Sequence, residues 1–391
     1  MILYLAATVC TILFAVRIRS AAVRSAGRTV VPQGFITREI LKSRVLLVGI
    51  FLILFGILAL RINVGNDYMK YVEFMHLARS GFYVPTEIGF NLLSRASFLL
   101  FNGENFLFCF AVMAFVTVLC FLKAIDGLSE SFLLSFAMFM LLGYYFQSIS
   151  TVRYYFALAV TTFAIVSFLK KDYPKFILLV LFAATFHKSA LIVLFLYPAA
   201  KLRYRRWVYF ALAAGGFAGF LLREPVLKLL LMVYSTYQET GYAAGGEGSL
   251  VSIVRCLLVL VLTVFCDRES LLGAPMSAAA GEEGCCGAAA RRFYCHLNIL
   301  ALVLYVFFAY LPIISRIGYY LTVTHIFYVP MLIRRMPDGR RKKTAIAVTA
   351  LFCIGFFAHM MWHAGDDGLR ILPYQTFVFH EMPPTLSDKG Y

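Results

Sequence analysis

Arg61, Asp67, Glu87, Arg153, His187 and Arg316 interrupt or border long apolar runs. Charged and titratable groups are costly beside hydrocarbon and are usually kept there for a purpose. Their types suggest a division of labour. A guanidinium presents several fixed donors and keeps its charge, so Arg153 and Arg316 suit phosphate groups. The His187 imidazole has a near-neutral intrinsic pKa and can accept a proton from a hydroxyl, and the neighbouring Lys188 favours its neutral, basic form. Asp67 and Glu87 are alternative bases or acceptors for ligand hydroxyls. Aromatic rings accompany these groups: Tyr68 and Tyr71 follow Asp67, Tyr154 and Tyr155 follow Arg153, and Tyr319 and Tyr320 follow Arg316. Pro373-Tyr374-Gln375, near the C-terminus, is placed to close over such a site. Each residue also has an ordinary explanation. Arg61 can be a snorkelling arginine among interfacial tyrosines, His187 a hydrogen-bonded structural group, and the C-terminal segment an unstructured tail.

The elements that hold these residues are set by composition. Hydrophobic residues make up 61% of the chain, charged residues only 14%, and mean hydropathy is +0.81, which excludes an ordinary soluble domain. Stretches such as 106–122 and 132–146 are continuously apolar rather than alternating, so helices, not barrel strands, are the spanning elements. The expectation is an all-α polytopic integral membrane protein forming a single domain over residues 1–391. The net charge of +16 is concentrated between apolar runs: seven basic side chains lie in residues 17–44, four in 201–206 and six in 334–343. This is the positive-inside pattern of cytoplasmic loops, and no aromatic-interleaved basic domain points to nucleic acid. The nine cysteines imply neither a disulfide framework nor a zinc site, adjacent Cys285 and Cys286 with Cys295 and His296 being poorly spaced for a tetrahedron.

Placing the basic loops inside gives a consistent path of about ten transmembrane helices: 2–16, 45–60, 104–122, 131–149, 152–169, 207–222, 251–266, 293–311, 317–333 and 344–361. Residues 176–200 have basic flanks on both sides, and His187-Lys188-Ser189 divides them into two apolar halves. Each half, of about 11 residues or roughly 17 Å, is too short to cross a core of about 30 Å, so a re-entrant or broken helical hairpin is expected with His187 near its tip. One long kinked span is the alternative. The outer face then carries the loops 61–103 and 223–250 and the C-terminal segment 362–391, with interfacial helices expected over 87–101 and 225–237. Residues 267–292 form a cytoplasmic linker rich in alanine and glycine. In this arrangement five of the six polar side chains share the outer side and the sixth, His187, lies within reach. Arg153 and Arg316 go against the positive-inside trend, which argues against a purely topological role.

The motifs resemble those of the EpsG-like branch of Wzy-type polysaccharide polymerases. The matching elements are Arg61 through Tyr71 (R-x3-G-x-D-Y-x2-Y), Glu87 to Phe90 (E-x-G-F), Arg153 with its small and polar approach, His187 to Ala190 (H-K-S-A), Arg316 with Tyr319 and Tyr320, and Leu372 to Tyr374 (L-P-Y). The resemblance runs over most of the chain from about residue 45. Two positions depart from the family pattern: Asn66 stands where a threonine commonly precedes the aspartate, and Tyr154 where a glutamine follows the central arginine. The resemblance implies a glycosyltransferase on the outer side of the bacterial cytoplasmic membrane that joins oligosaccharide repeat units carried on undecaprenyl pyrophosphate into a capsule, exopolysaccharide or O-antigen. It also implies the lipid-linked donor and acceptor as substrates, membrane lipid as surroundings, and chain-length regulator and flippase proteins as partners. Its site would use Arg153, Arg316 and Arg61 on the pyrophosphate, His187, Asp67 or Glu87 in catalysis, and Tyr68, Tyr71, Lys188, Tyr319, Tyr320 and Tyr374 on the substrate.

No cofactor or bound metal is expected, because no D-x-D motif occurs and Asp366-Asp367 reads as a turn. A transporter or flippase of a lipid-linked or anionic substrate would also place arginines and a broken helix in a membrane cleft, but should show repeats and deep polar groups in both halves. A surface-glycan O-acyltransferase would use a membrane histidine, yet needs a path for an acyl donor that no segment supplies.

Overall fold

In a computed structural model, residues 1–18, 38–233, 250–272 and 287–384 are described. The basic stretch 19–37, residues 234–249 of the expected outer loop, the linker core 273–286 with Cys285 and Cys286, and the tail 385–391 lie outside them. The fold is all-α, and the chain divides into two compact units, Met1–Leu191 with Gly339–Tyr391 and Ile192–Asp338.

The first unit opens with α1 (Ile2–Ala15) and α2 (Arg38–Ala59), followed by the short surface helices α3 (Tyr68–Arg79) and α4 (Ile88–Phe101). Then come α5 (Phe106–Leu128), α6 (Phe132–Leu141), α7 (Tyr144–Ser150), α8 (Val152–Leu169) and α9 (Tyr173–Phe186). Polar caps start several of them: Asn105 accepts from Phe108 N, Ser131 from Leu134 N, and Asp172 from Lys175 N just after Pro174. α8 is the core of the unit, packed between α5 and α9, with 78% of its apolar window buried against 22% for α2. Side chains on the outside of α2, such as Leu52 at 58% exposure, are apolar, as a lipid-facing surface requires.

At His187 the backbone turns extended, a single 3-10 turn (Lys188–Ile192) follows, and helix resumes as α10 (Val193–Lys201). The polar triplet therefore does break the apolar segment. The second unit continues through α11 (Arg206–Leu221), α12 (Arg223–Val233), α13 (Leu250–Cys266), α14 (Arg268–Leu272), α15 (Ala288–Phe307), α16 (Ile314–Thr322) and α17 (His325–Arg335). α15 is its hub, contacting α10, α11, α13, α16 and α17. The last helix, α18 (Arg340–Trp362), belongs to the first unit.

Every apolar run expected to span is helical, but length separates them. Four described helices, α2, α5, α8 and α18, are long and apolar enough to cross a membrane, or six elements if the bent pairs α6 with α7 (40°) and α11 with α12 (78°) each count as one. The sequence expectation of about ten is larger because several runs are short or interrupted. α1 has 14 residues, about 21 Å, and α13 has 17, about 26 Å, against a core of about 30 Å. The run 317–333 is split between α16 and α17 at Val323-Thr324.

Candidate active site

Contacts within the first unit bring many helix ends to one place. Tyr4 at the start of α1 donates its hydroxyl to Ile371 O (2.9 Å), Gly65 N donates to Arg370 O (2.8 Å), and Asn66 N to Ser150 Oγ (3.1 Å). Thus the start of α1, the ends of α2 and α7, and the segment after α18 meet. Lys188 N donates to Glu87 Oε1 at 3.2 Å, which adds the end of α9 and the start of α4.

Two glycines let the backbone close up there. Gly65 has φ +101°, and a Cβ on it would stand 2.2 Å from Ile149 O. Gly89, in the first turn of α4, lies against the last turn of α9, where a Cβ would fall 2.8 Å from Thr185 O and 2.7 Å from Thr185 Oγ1. Glu87 precedes Gly89 by two residues and caps α4 in extended conformation. Its carboxylate is thereby delivered to the His187 break and to Arg153 in the first turn of α8.

Arg153 Nη1 donates to Glu87 Oε2, and the guanidinium lies over the rings of Tyr71 (5.4 Å) and Phe90 (5.7 Å). The pair is neither buried nor free in solvent, the side chains being 16% and 20% exposed. Arg153 Nε is enclosed and has no hydrogen-bond partner. The Tyr71 hydroxyl donates to Asp67 Oδ2 at 3.4 Å, and burial pushes its pKa up to about 12, so it stays protonated and able to donate at neutral pH. His187 is half-buried, its ring edge-on to Tyr154 (5.4 Å), with Nδ1 2.7 Å from Ser189 Oγ. In the tautomer in which Nδ1 donates to Ser189, Nε2 is the basic nitrogen; in the other, the serine hydroxyl donates to Nδ1. Asp67, Tyr71, Arg153 and Glu87 thus form one chain of contacts, which Lys188 N, next to His187, joins at Glu87, with the Lys188 side chain exposed beside it.

Arg61 is placed differently. It is 1% exposed and donates to Leu58 O (2.7 Å) and Val64 O (3.2 Å), while its Nη2 has no hydrogen-bond partner. Its guanidinium lies 5.2 Å over Phe110, whose other neighbours are Tyr68, stacked at 4.4 Å, and Tyr71 at 6.2 Å. The C-terminal segment seals it. Thr376 forms a backbone bridge with Arg61, Arg370 Nη2 donates to Asn63 Oδ1 (3.0 Å), and the Tyr374 hydroxyl donates to Ile57 O (3.1 Å). The L-P-Y segment therefore does cover the R-x3-G-x-D loop, and Tyr68 is fully buried beneath it.

Arg316, Tyr319 and Tyr320 lie in the second unit on α16. Arg316 and Tyr319 are half-buried, whereas Tyr320 is fully buried and its carbonyl accepts from the Tyr197 hydroxyl at 3.1 Å. Sequence reasoning passed over Arg255 in this unit: it is 6% exposed on α13 and donates to Thr322 Oγ1 at 2.8 Å. A single arginine inside the otherwise apolar run 250–266 was the available signal. In the first unit it likewise passed over Phe110, the ring beneath Arg61.

The family model described as the EpsG family matches residues 44–376, most of the chain. No curated protein and no solved structure matches it.

Proposed function

Because the chain belongs to the EpsG family of Wzy-like polymerases, a family of polysaccharide polymerase-like membrane proteins, we propose that it joins undecaprenyl-pyrophosphate-linked oligosaccharide repeat units into a surface polysaccharide. The reaction is placed at the outer face of a bacterial cytoplasmic membrane, with the cluster around Arg153 facing outward. The observation that carries this reading is the contact chain Asp67–Tyr71–Arg153–Glu87 meeting the His187 break at one end of the helices.

In the proposed mechanism a hydroxyl of the incoming unit attacks the anomeric carbon of the growing chain. The new glycosidic C–O bond forms as the bond from that carbon to the pyrophosphate oxygen breaks, and the electron pair leaves with the pyrophosphate. The hydroxyl proton passes to His187 Nε2, Ser189 holding the opposite nitrogen. Arg153 stabilises the charge that develops on the leaving group, an electrostatic role of about 3–4 kcal/mol for a single well-placed donor. Glu87 holds the guanidinium in place, and Arg153 turns in part from the carboxylate to the phosphate when substrate arrives. Asp67, tied to Tyr71, accepts from a sugar hydroxyl. Arg61, bonded to main-chain carbonyls, acts as a positioning residue for the Asp67 loop. Arg316, Tyr319 and Tyr320 contact the substrate in this reading, on the strength of the motif resemblance, and substitution is the means to test it.

The test is purified protein in lipid nanodiscs given the lipid-linked repeat unit that accumulates in a host lacking this protein. A ladder of longer glycans is expected. Movement of the substrate across a vesicle membrane without extension would replace the polymerase reading with transport.

A further inference from the structure

A second polar site lies in the same unit, on the far half of α4. A cavity of about 200 Å³ opens between α3, α4 and the residues that lead into α5. Its wall includes Arg79, Arg95, Ser97, Phe98, Glu104 and Asn105. Glu104 is 3% exposed and firmly held: His76 Nδ1 lies 2.7 Å from Oε1, and Arg79 Nη1 lies 3.7 Å from Oε2. The Arg79 guanidinium also covers the Phe98 ring at 5.5 Å, yet its Nη1 is enclosed without a hydrogen-bond partner. Asn105 spends its Oδ1 on capping Phe108 N, so its amide hydrogens take no part in the cap. Arg95 is exposed at the rim.

This lining combines enclosed donors, a fixed carboxylate and an aromatic ring. A carboxylate at the wall opposes an anion and already offsets the charge of Arg79, so phosphate is poorly matched. An uncharged polyhydroxylated ring is well matched, since its hydroxyls accept from Arg79 and Asn105 while its C–H face lies along Phe98 and the neighbouring apolar side chains. The volume suits one sugar residue rather than a long segment. The cavity begins at Ser94, seven residues from Glu87 and so about 10 Å along α4 from the reacting centre. α4 also exposes Leu92 and Leu100, which fits a helix lying in the membrane interface with its polar side turned to the cavity.

We propose that the cavity is a carbohydrate subsite that holds one sugar residue of the glycan at a distance from the reacting end. The identity of the glycan rests on the polymerase reading; the carbohydrate chemistry of the cavity does not. Binding of a remote sugar supplies interaction energy that orients the reacting end, so its loss lowers turnover as well as affinity.

Two variants test it without touching the Glu104 network. Ala78→Phe fills the cavity from α3, and Arg95→Ala removes a rim donor whose exposure makes it safe for folding. The probe is the repeat-unit oligosaccharide released from the host polysaccharide, free of lipid and phosphate, in saturation-transfer NMR with the nanodisc-embedded protein. Wild type is expected to bind it, Ala78→Phe to weaken the apparent Kd at least fivefold and Arg95→Ala twofold or more, with glycan ladders correspondingly shortened. Equal binding in all three proteins, or no binding by wild type, would overturn the subsite. Displacement of the oligosaccharide by millimolar inorganic phosphate would overturn its carbohydrate character. If wild type makes no ladder yet binds the oligosaccharide and Ala78→Phe abolishes binding, the polymerase reading falls and the subsite stands. If ladders form and both variants bind and extend like wild type, the subsite alone falls.

Discussion

Arg153 and Arg61 are both arginines at helix ends on one face of the same unit, and their surroundings differ in every respect that matters for chemistry. Arg153 has a carboxylate partner, a partly open position and an enclosed Nε still without a hydrogen bond. Arg61 has carbonyl partners, a ring beneath it and a chain segment closed over it. An ion pair at the boundary of solvent can rearrange for an incoming anion at modest cost, because water screens the intermediate state. A guanidinium at 1% exposure has no such route, and displacing it would strip a buried charge of its partners. The difference teaches that an arginine at a helix end of a membrane protein can be held open to a ligand or locked into the fold.

The sharpest way to break this comparison is Arg153→Lys. Lysine keeps the charge but loses the planar fork, so turnover is expected to fall about 100-fold, ~2.7 kcal/mol in the barrier, with folding retained. The measurement is extension rate per folded molecule, with the thermal midpoint as control. Unchanged extension at equal expression would remove Arg153 from the site.

His187→Gln comes next. Glutamine preserves a hydrogen bond to Ser189 without the basicity, so extension should slow by about 10- to 100-fold, within the range of general-base catalysis, while binding of the donor lipid changes little. Extension near the wild-type rate would pass the role of base to Asp67 or Glu87. A lowered thermal midpoint with activity per folded molecule intact would make the histidine structural.

Gly89→Ala sharpens the geometry rather than the chemistry. The added methyl meets the Thr185 carbonyl as well as a movable side chain, so α4 and α9 must part by some tenths of an ångström. The expected cost is about 1–3 kcal/mol of stability, as for other overpacked contacts, with activity reduced about tenfold because Glu87 is carried away from Arg153 and Lys188. A stable, fully active Gly89→Ala protein would show that this approach does not set the site.

Much of this was legible in the chain. Apolar runs marked the helices, and the polar triplet at 187–189 marked a break because three such residues cannot continue an apolar helix into lipid. The pairings were less accessible. Glu87 and Arg153 lie 66 residues apart, and nothing local in either segment says that the carboxylate will turn to that guanidinium rather than to Arg61. Burial of Arg61 was hidden for a similar reason: closure by 373–375 was suggested, but nothing local says that it seals Arg61, Arg370 lying 307 residues from its partner Asn63. The cavity beside Glu104 depends on three helices meeting, and its members carry no spacing that sets them apart from an ordinary interfacial region.

The smallest effect on chemistry is expected at Arg61. Arg61→Lys preserves the charge but cannot reach Leu58 O and Val64 O together in the same geometry, and hydrogen bonds from charged donors are worth about 1.5–3 kcal/mol each. The loop from 61 to 67 and the C-terminal segment bridged to it at Thr376 should loosen together. The thermal midpoint is therefore expected to drop by several degrees, and amide exchange to quicken over 61–67 and 370–377, while extension per folded molecule stays within about twofold of wild type, the scale of a positioning change that leaves the reacting groups in place. An unaltered midpoint with turnover lost as completely as in Arg153→Lys would place the Arg61 guanidinium on the substrate. The partition between a ligand-binding and a fold-holding arginine would then have to be abandoned, and the cover formed by Arg370 to Thr376 would have to open during each catalytic cycle.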